Sequence, residues 1–252
     1  ITQVGWRGTV TVLGVAQLAI ALPLHALLLR RHPEDLGLLP DGATGPPVRA
    51  ARLPSGASLR RALTTIAFWT LTASAALTFL GSTAVTTHQV AAIIGRGYGG
   101  VLAATLAGLV GLASLPGRFI LNAMSDRLGP QRLLAVCYAV QGIGAVILAR
   151  AHALPWLIAY VLVYGAAFGA VSPLRASVMA DQFGRKSYGA IFAAQGVPVA
   201  LCAGGGPLLA GWLYDVYGGY GLAFGLAAAA FFLGSLGVVL TPAPRTLERD
   251  AA

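Results

Sequence analysis

Arg118 is the residue whose surroundings explain its chemistry least. It follows Pro116-Gly117 at the close of a stretch, 97–117, that contains no charged residue. A charge inside an apolar span is a functional candidate by default. An arginine fork also matches a carboxylate with two parallel hydrogen bonds, which a lysine cannot do. The competing reading is a cation that snorkels to the headgroups, because Arg118 stands only eight residues before Asp126, about 12 Å of helix. Pro116-Gly117 should bend the helix just ahead of it.

Other polar groups sit in similarly apolar surroundings. Trp156, Tyr160, Tyr164 and Phe168 recur every four residues. Trp156 reads as an interfacial anchor, and the other three as either packing or a binding wall, where a tyrosine hydroxyl needs a partner. His88 and Gln89 read as either interfacial or cavity-lining. All eight acids fall in loops or at helix ends, so the spans offer no carboxylate for proton coupling. Cys137 and Cys202 lie apart among small apolar residues and read as inert packing, not as a disulfide or a metal site. The sequence has no Gly-x-x-x-x-Gly-Lys-Ser/Thr loop and no His-Glu-x-x-His pair. No ATP motor, no cofactor, no metal and no enzymatic constellation is expected.

The elements that must position these groups follow from composition. Hydrophobic residues make up 57% of the 252, charged residues only 10%, and mean hydropathy is +0.76. That charge supply is under half of the roughly 25% usual in soluble domains. Charge-free stretches run over 8–29, 62–95, 97–117, 133–149, 151–174, 187–214 and 216–244. Their lengths bracket the roughly 20 residues that a helix needs to cross the hydrocarbon core, and they are too long and unalternating for barrel strands. An all-α integral membrane protein with seven spans is expected, with the lipid bilayer as a partner and nucleic acid excluded. Nucleic acid is excluded because the net charge of +9 is a matter of topology. Thirteen of the 17 basic residues fall on one side, among them Arg127, Arg132, Arg175, Arg185 and Lys186 in short turns. Only Arg7, Arg96 and Arg150 fall on the other, which makes the richer side cytoplasmic. Arginine outnumbers lysine 16 to 1 beside abundant Ala, Gly and Pro, the codon bias of a GC-rich genome, and points to a bacterial inner membrane.

Within this plan, residues 30–61 are rich in Pro, Gly and Arg and read as a linker between bundles. Tyr98-Gly99-Gly100-Val101-Leu102-Ala103-Ala104 and Tyr188-Gly189-Ala190-Ile191-Phe192-Ala193-Ala194 suggest a three-span repeat. Pro198, Gly204-Gly205-Gly206 and Pro207 should break the sixth span. Gly165-x-x-x-Gly169 and Gly221-x-x-x-Gly225 should mark packing faces. The chain begins with Ile at the edge of a span, so it is expected to continue a longer protein.

The stretch from Gly117 to Arg132 carries the most specific signal. Its Asp126-Arg127-x-Gly129-x-x-Arg132 turn resembles the signature loop of the major facilitator superfamily, in its second-half copy. The resemblance implies a gate between conformations, formed by Asp126, Arg127, Gly129 and Arg132. Asn122 stands where that motif opens with Gly, and Pro130-Gln131 replaces a basic pair, which implies a weaker charge relay. Gly5-Trp6-Arg7 and the stretch from Arg30 to Gly42 resemble the helix 6 flanks of the monocarboxylate and oxalate:formate branch. The turn from Asp181 to Gly189 is similar to that branch's turn between helices 10 and 11, and adds Asp181 and Arg185 to the gate.

On this resemblance 1–29 is the last helix of an N-terminal bundle, 30–61 the inter-bundle linker, 62–244 a six-helix C-terminal bundle and 245–252 a cytoplasmic tail. The remaining N-terminal half, a small organic solute and a coupling ion would be its partners. The second, third, fifth and sixth spans would line the pathway, and the first, fourth and seventh would face lipid. In the branch an Arg at the place of Arg118 binds the substrate carboxylate. Monocarboxylate carriers have an Asp one turn earlier, where this chain has Ser114; oxalate:formate exchangers have a Lys where this chain has Gln195. One cation without a second argues against a dicarboxylate and for a monoanion. The implied substrate contacts are Arg118, Gln195, Tyr164, Tyr160, His88 and Asn122. Alternating-access transport of an organic anion is the expected function. A channel, a membrane enzyme or a carrier of neutral or drug-like solutes remain as alternatives.

Overall fold

A computed structural model of the chain describes residues 5–28 and 56–242. The linker from 30 to 55 and the tail from 245 onward lie outside the described residues. Among those described, seven helices are long and apolar enough to cross a membrane. The first, α1 (Gly5–Leu28), belongs to a compact unit of its own. Its Thr9 and Thr11 hydroxyls donate to carbonyls four residues back, at 2.9 and 3.0 Å. Such bonds settle polar side chains where lipid offers no partner.

The second unit opens with a single short turn, α2 (Leu59–Leu63). Six long helices follow: α3 (Ile66–Ile94), α4 (Gly100–Leu128), α5 (Pro130–Arg150), α6 (Leu154–Phe183), α7 (Tyr188–Tyr217) and α8 (Gly221–Leu240). Residues 56–61, which the sequence assigns to the linker, are fastened to this unit. Gly56 pairs antiparallel with Gly184, and the Ala57 N–H donates to the Phe183 carbonyl at 2.8 Å. Thr65 caps α3 by accepting the Phe68 N–H at 3.2 Å. Gly129, at φ 82°, makes the reversal between α4 and α5 that an L side chain resists, and Pro130 starts α5.

The principal packing pairs are α3–α7, α4–α6, α5–α6, α3–α8 and α5–α8. Exchanging every helix for the one three places along maps this set onto itself, which is the packing that the sequence repeat anticipates. Two hydrophobic clusters fill the bundle. One holds Phe68, Leu134, Tyr138, Leu174 and Met179; the other holds Ile93, Leu148, Tyr160, Phe224 and Phe231. Small residues let the backbones close up, the mode expected where lipid supplies no hydrophobic drive. A Cβ at Gly117 would collide with the Ala166 carbonyl oxygen, and one at Gly169 with the Ser114 carbonyl oxygen.

Three sequence expectations need correction. The sixth span is not broken, since α7 runs unbroken through Pro198 and Pro207. Pro207 leaves the Ala203 carbonyl without its i+4 donor, and Thr83 of α3 donates to it at 2.7 Å. The turn after the fifth span does not hold Arg175. Pro173 does not end α6, which continues for ten further residues and takes Arg175 into the bundle. Gly221 and Gly225 do not mark a packing face, for a Cβ at either meets nothing within 4 Å, whereas Gly165 and Gly169 both pack on α4.

Candidate functional site

Two arginines lean on α6 from different sides. Pro173 has no N–H, so the Gly169 carbonyl lacks its helical donor. Arg118, from α4, donates its Nε to that oxygen at 3.2 Å. The close approach at Gly117 and Gly169 brings α4 near enough for this reach. The bond fixes the inner edge of the guanidinium, and its Nη edge has no protein acceptor among the described residues. Arg118 is exposed. An arginine oriented by one edge with its fork left open is arranged to receive a planar oxyanion.

The second arginine was not picked out by sequence reasoning. Arg175 is half-buried on α6, and its Nε donates to Oε1 of Gln195 on α7 at 2.9 Å. Its guanidinium carbon lies 4.6 Å from the Phe192 ring centroid and 5.3 Å from that of Phe79, both within cation–π range. Gln195 is buried, and its amide is completed by a donor contact to Met179 Sδ at 3.4 Å. Arg175 was hidden by its own charge, which served to end the fifth span. The signal was the uncharged run of 176–180 beyond it, which extends the apolar pattern by more than a turn.

The other expected substrate contacts lie elsewhere. Tyr160 and Tyr164 are fully buried. The Tyr160 hydroxyl donates to Gln89 Oε1 at 2.7 Å, and the Tyr164 hydroxyl pairs with Ser82 at 3.2 Å. Both lie in the packed interior between α3 and α6. His88 lies near the far end of α3. Its Nε2 donates to the Pro207 carbonyl at 3.0 Å, and its Nδ1 pairs with the Tyr220 hydroxyl at 3.2 Å. Only an N–H can serve the carbonyl, so Nε2 carries a hydrogen. Beside it, Tyr220 stacks on Tyr214 at 4.5 Å, and burial and the nearby Asp215 raise its phenol above the ordinary range. The Asn122 side chain donates to the Arg118 carbonyl of its own helix. The structure thus brings Gln195 to Arg175, sets Arg118 on the neighbouring flank, and leaves His88 at the other end.

The residues assigned to the gate occupy the helix ends. Gly129, Arg132 and Asp181 line a cavity of about 590 Å³ between the α4–α5 turn and the last turns of α6 and α8. Asp126, Arg127 and Arg185 lie on its outside and are exposed. Gln131, which replaces a basic residue of the motif, donates to the Val238 and Thr241 carbonyls, both at 2.9 Å, and so closes the end of α8. Among the described residues the acids are Asp126, Asp181 and Asp215, each in the last turn of a helix. No group of three His, Cys, Asp or Glu comes together there.

The Major Facilitator Superfamily model matches residues 1–205 and, overlapping, 100–252. The chain belongs to the major facilitator superfamily. The stretch from Asp126 to Arg132 lies on the α4–α5 reversal, and the chain is a multi-pass membrane protein of the superfamily's type. Its relatives include monocarboxylate transporter 13 of Bos taurus and of Rattus norvegicus, each 29% identical over 241 residues, which is 94% of this chain and 52% of each transporter. A multidrug resistance protein B homolog of Mycobacterium tuberculosis is 33% identical over 94 residues, 37% of this chain and 17% of that protein. The chain thus spans about half the length of the monocarboxylate transporters it matches.

Proposed function

We propose that this superfamily member forms the C-terminal half of a secondary transporter for a small carboxylate-bearing anion, with α1 as the last helix of an N-terminal bundle. The carrying observation is Arg118, a permanent cation in an apolar helix that is held at one edge by the Gly169 carbonyl and open at the other. A cation at membrane depth costs about 2.5–3.5 kcal/mol on insertion scales, a cost that an anionic substrate offsets each time it binds. The similarity to monocarboxylate transporters over 94% of the chain supports the same class. Alternating access would rock this bundle against its counterpart around a midplane site, lined here by α3, α4, α6 and α7. The gate turn at 126–132 would open and close on the cytoplasmic side.

The test is uptake of labelled organic acids by the chain reconstituted with its N-terminal bundle. Arg118→Gln should abolish uptake with membrane insertion unchanged, and Arg118→Lys should retain weak uptake with a raised KM. Normal uptake by Arg118→Gln, or competition by neutral solutes only, would overturn the reading. The second outcome would favour a drug-like substrate, as the name of the Mycobacterium relative suggests.

A further inference from the structure

We infer that Arg175 is a second anion-binding group, and that the substrate is an organic dianion whose two carboxylates are separated by a carbon spacer. The inference rests on the anion reading of Arg118 and extends it. Four observations carry it.

The first is charge. Arg118 and Arg175 both lie within the apolar helices, and among the described residues the acids stand only in last turns. A monoanion would neutralise one of the two cations and leave the other exposed to the same cost. A dianion neutralises both.

The second is the state of the Arg175 fork. One edge is spent on Gln195 through Nε, while neither Nη has a protein acceptor or is sealed from solvent among the described residues. An Nη edge that is neither paired nor sealed is free to receive a ligand.

The third is direction. Phe79 and Phe192 lie over the guanidinium at 5.3 and 4.6 Å. Toward the bundle interior there is a cavity of only about 10 Å³, lined by Tyr138, Met179 and Gln195 among others, which has room for about one water. The edge not spent on Gln195 is the in-plane Nη edge, the approach that suits a planar carboxylate.

The fourth is spacing. Arg118 is anchored at Gly169, and Arg175 springs from α6 six residues further on, about 9 Å along the axis. The Arg175 head turns to Gln195 and Phe192 of α7, so the two arginines stand on different flanks of α6. Two carboxylates joined directly to each other would not serve two flanks of one helix, whereas a spacer of a few carbons lets them do so.

Propionate and succinate differ by one carboxylate and provide the test. Their affinities would be measured on the transporter reconstituted with both bundles in lipid nanodiscs, for native protein, Arg118→Gln, Arg175→Gln and Arg175→Lys. Native protein should bind succinate at least about tenfold more tightly than propionate, as one added charge-assisted pair warrants. Arg175→Gln should erase that preference and leave propionate affinity within about twofold, and Arg175→Lys should restore part of it. Arg118→Gln should weaken both ligands. If succinate and propionate bind alike to native protein, or if Arg175→Gln keeps the preference, Arg175 is a packing residue and the dianion is wrong, while the anion reading of Arg118 stands. If neither ligand binds and Arg118→Gln changes nothing, the anion reading falls and this inference falls with it. A loss of both ligands in Arg175→Gln that Arg175→Lys does not relieve would mark a folding defect and overturn the assignment of a separate subsite.

Discussion

At the scale of single residues, several polar groups in this bundle answer a need created elsewhere on the chain. Tyr160 supplies the donor for Gln89, whose own amide N–H₂ turns back to the Thr86 carbonyl at 3.2 Å. Removing the phenol oxygen leaves a buried acceptor unmatched, a loss of about 1–3 kcal/mol. Tyr160→Phe should therefore lower the thermal unfolding midpoint in detergent and leave KM unchanged, which would separate a packing residue from a binding one. Arg118 has two roles at once, since its Nε serves the Gly169 carbonyl that Pro173 leaves bare. Pro173→Ala restores an N–H to that carbonyl. In a Pro173→Ala background, Arg118→Gln should cost less stability than it does alone but just as much uptake. Equal stability costs in the two backgrounds would show that the carbonyl contact contributes nothing.

At the scale of the elements, the prolines show what a single sequence can and cannot tell. The seven spans were legible because charge is scarce: uncharged runs of crossing length locate every long helix to within a few residues of its ends, apart from the last turns of α4 and α6. Those turns are amphipathic, carrying Asp126 and Asp181, and a rule that ends a span at its first charge cuts them off. Arg175 was lost by that rule. The continuity of α7 through Pro207 was illegible for a different reason. The donor that replaces the missing N–H is Thr83, 120 residues away in sequence, and nothing local to Pro207 announces it. Thr83→Val keeps the shape and removes the hydroxyl, leaving the Ala203 carbonyl bare in a close contact where Gly206 already lies against α3. The expected outcome is a loss of about 1–3 kcal/mol, read as a lower unfolding midpoint, and a local rise in hydrogen exchange around 203–207. Gly117→Leu should be worse, because its neighbour is backbone, the Ala166 carbonyl, and cannot move aside as a side chain would.

At the scale of the whole molecule, the positive-inside count gives the bundle a direction. With Arg175 moved into α6, twelve basic residues still stand against three, so the expected orientation is unchanged. In a background with Cys137 and Cys202 replaced by Ala, Lys186→Cys should resist a membrane-impermeant thiol reagent in intact cells, and Gly219→Cys should react. The reverse labelling would invert the topology. The packing pairs, unchanged by a shift of three helices, make the six long helices two copies of one plan, as the paired sequences at 98–104 and 188–194 foreshadow.

The bridge between Gly56 and Gly184 has a mechanical consequence. The segment that enters the bundle is stitched, through Ala57 N–H and the Phe183 carbonyl, to the corner where α6 hands over to α7. These are the two helices that carry Arg175 and Gln195. The fit is tight, since a Cβ on Gly56 would stand 2.5 Å from the Phe183 oxygen. Tension on the chain ahead of Gly56 is therefore delivered first to that corner and from there along both helices. Whatever draws on the incoming strand has a handle on the pair of helices that grips Arg175.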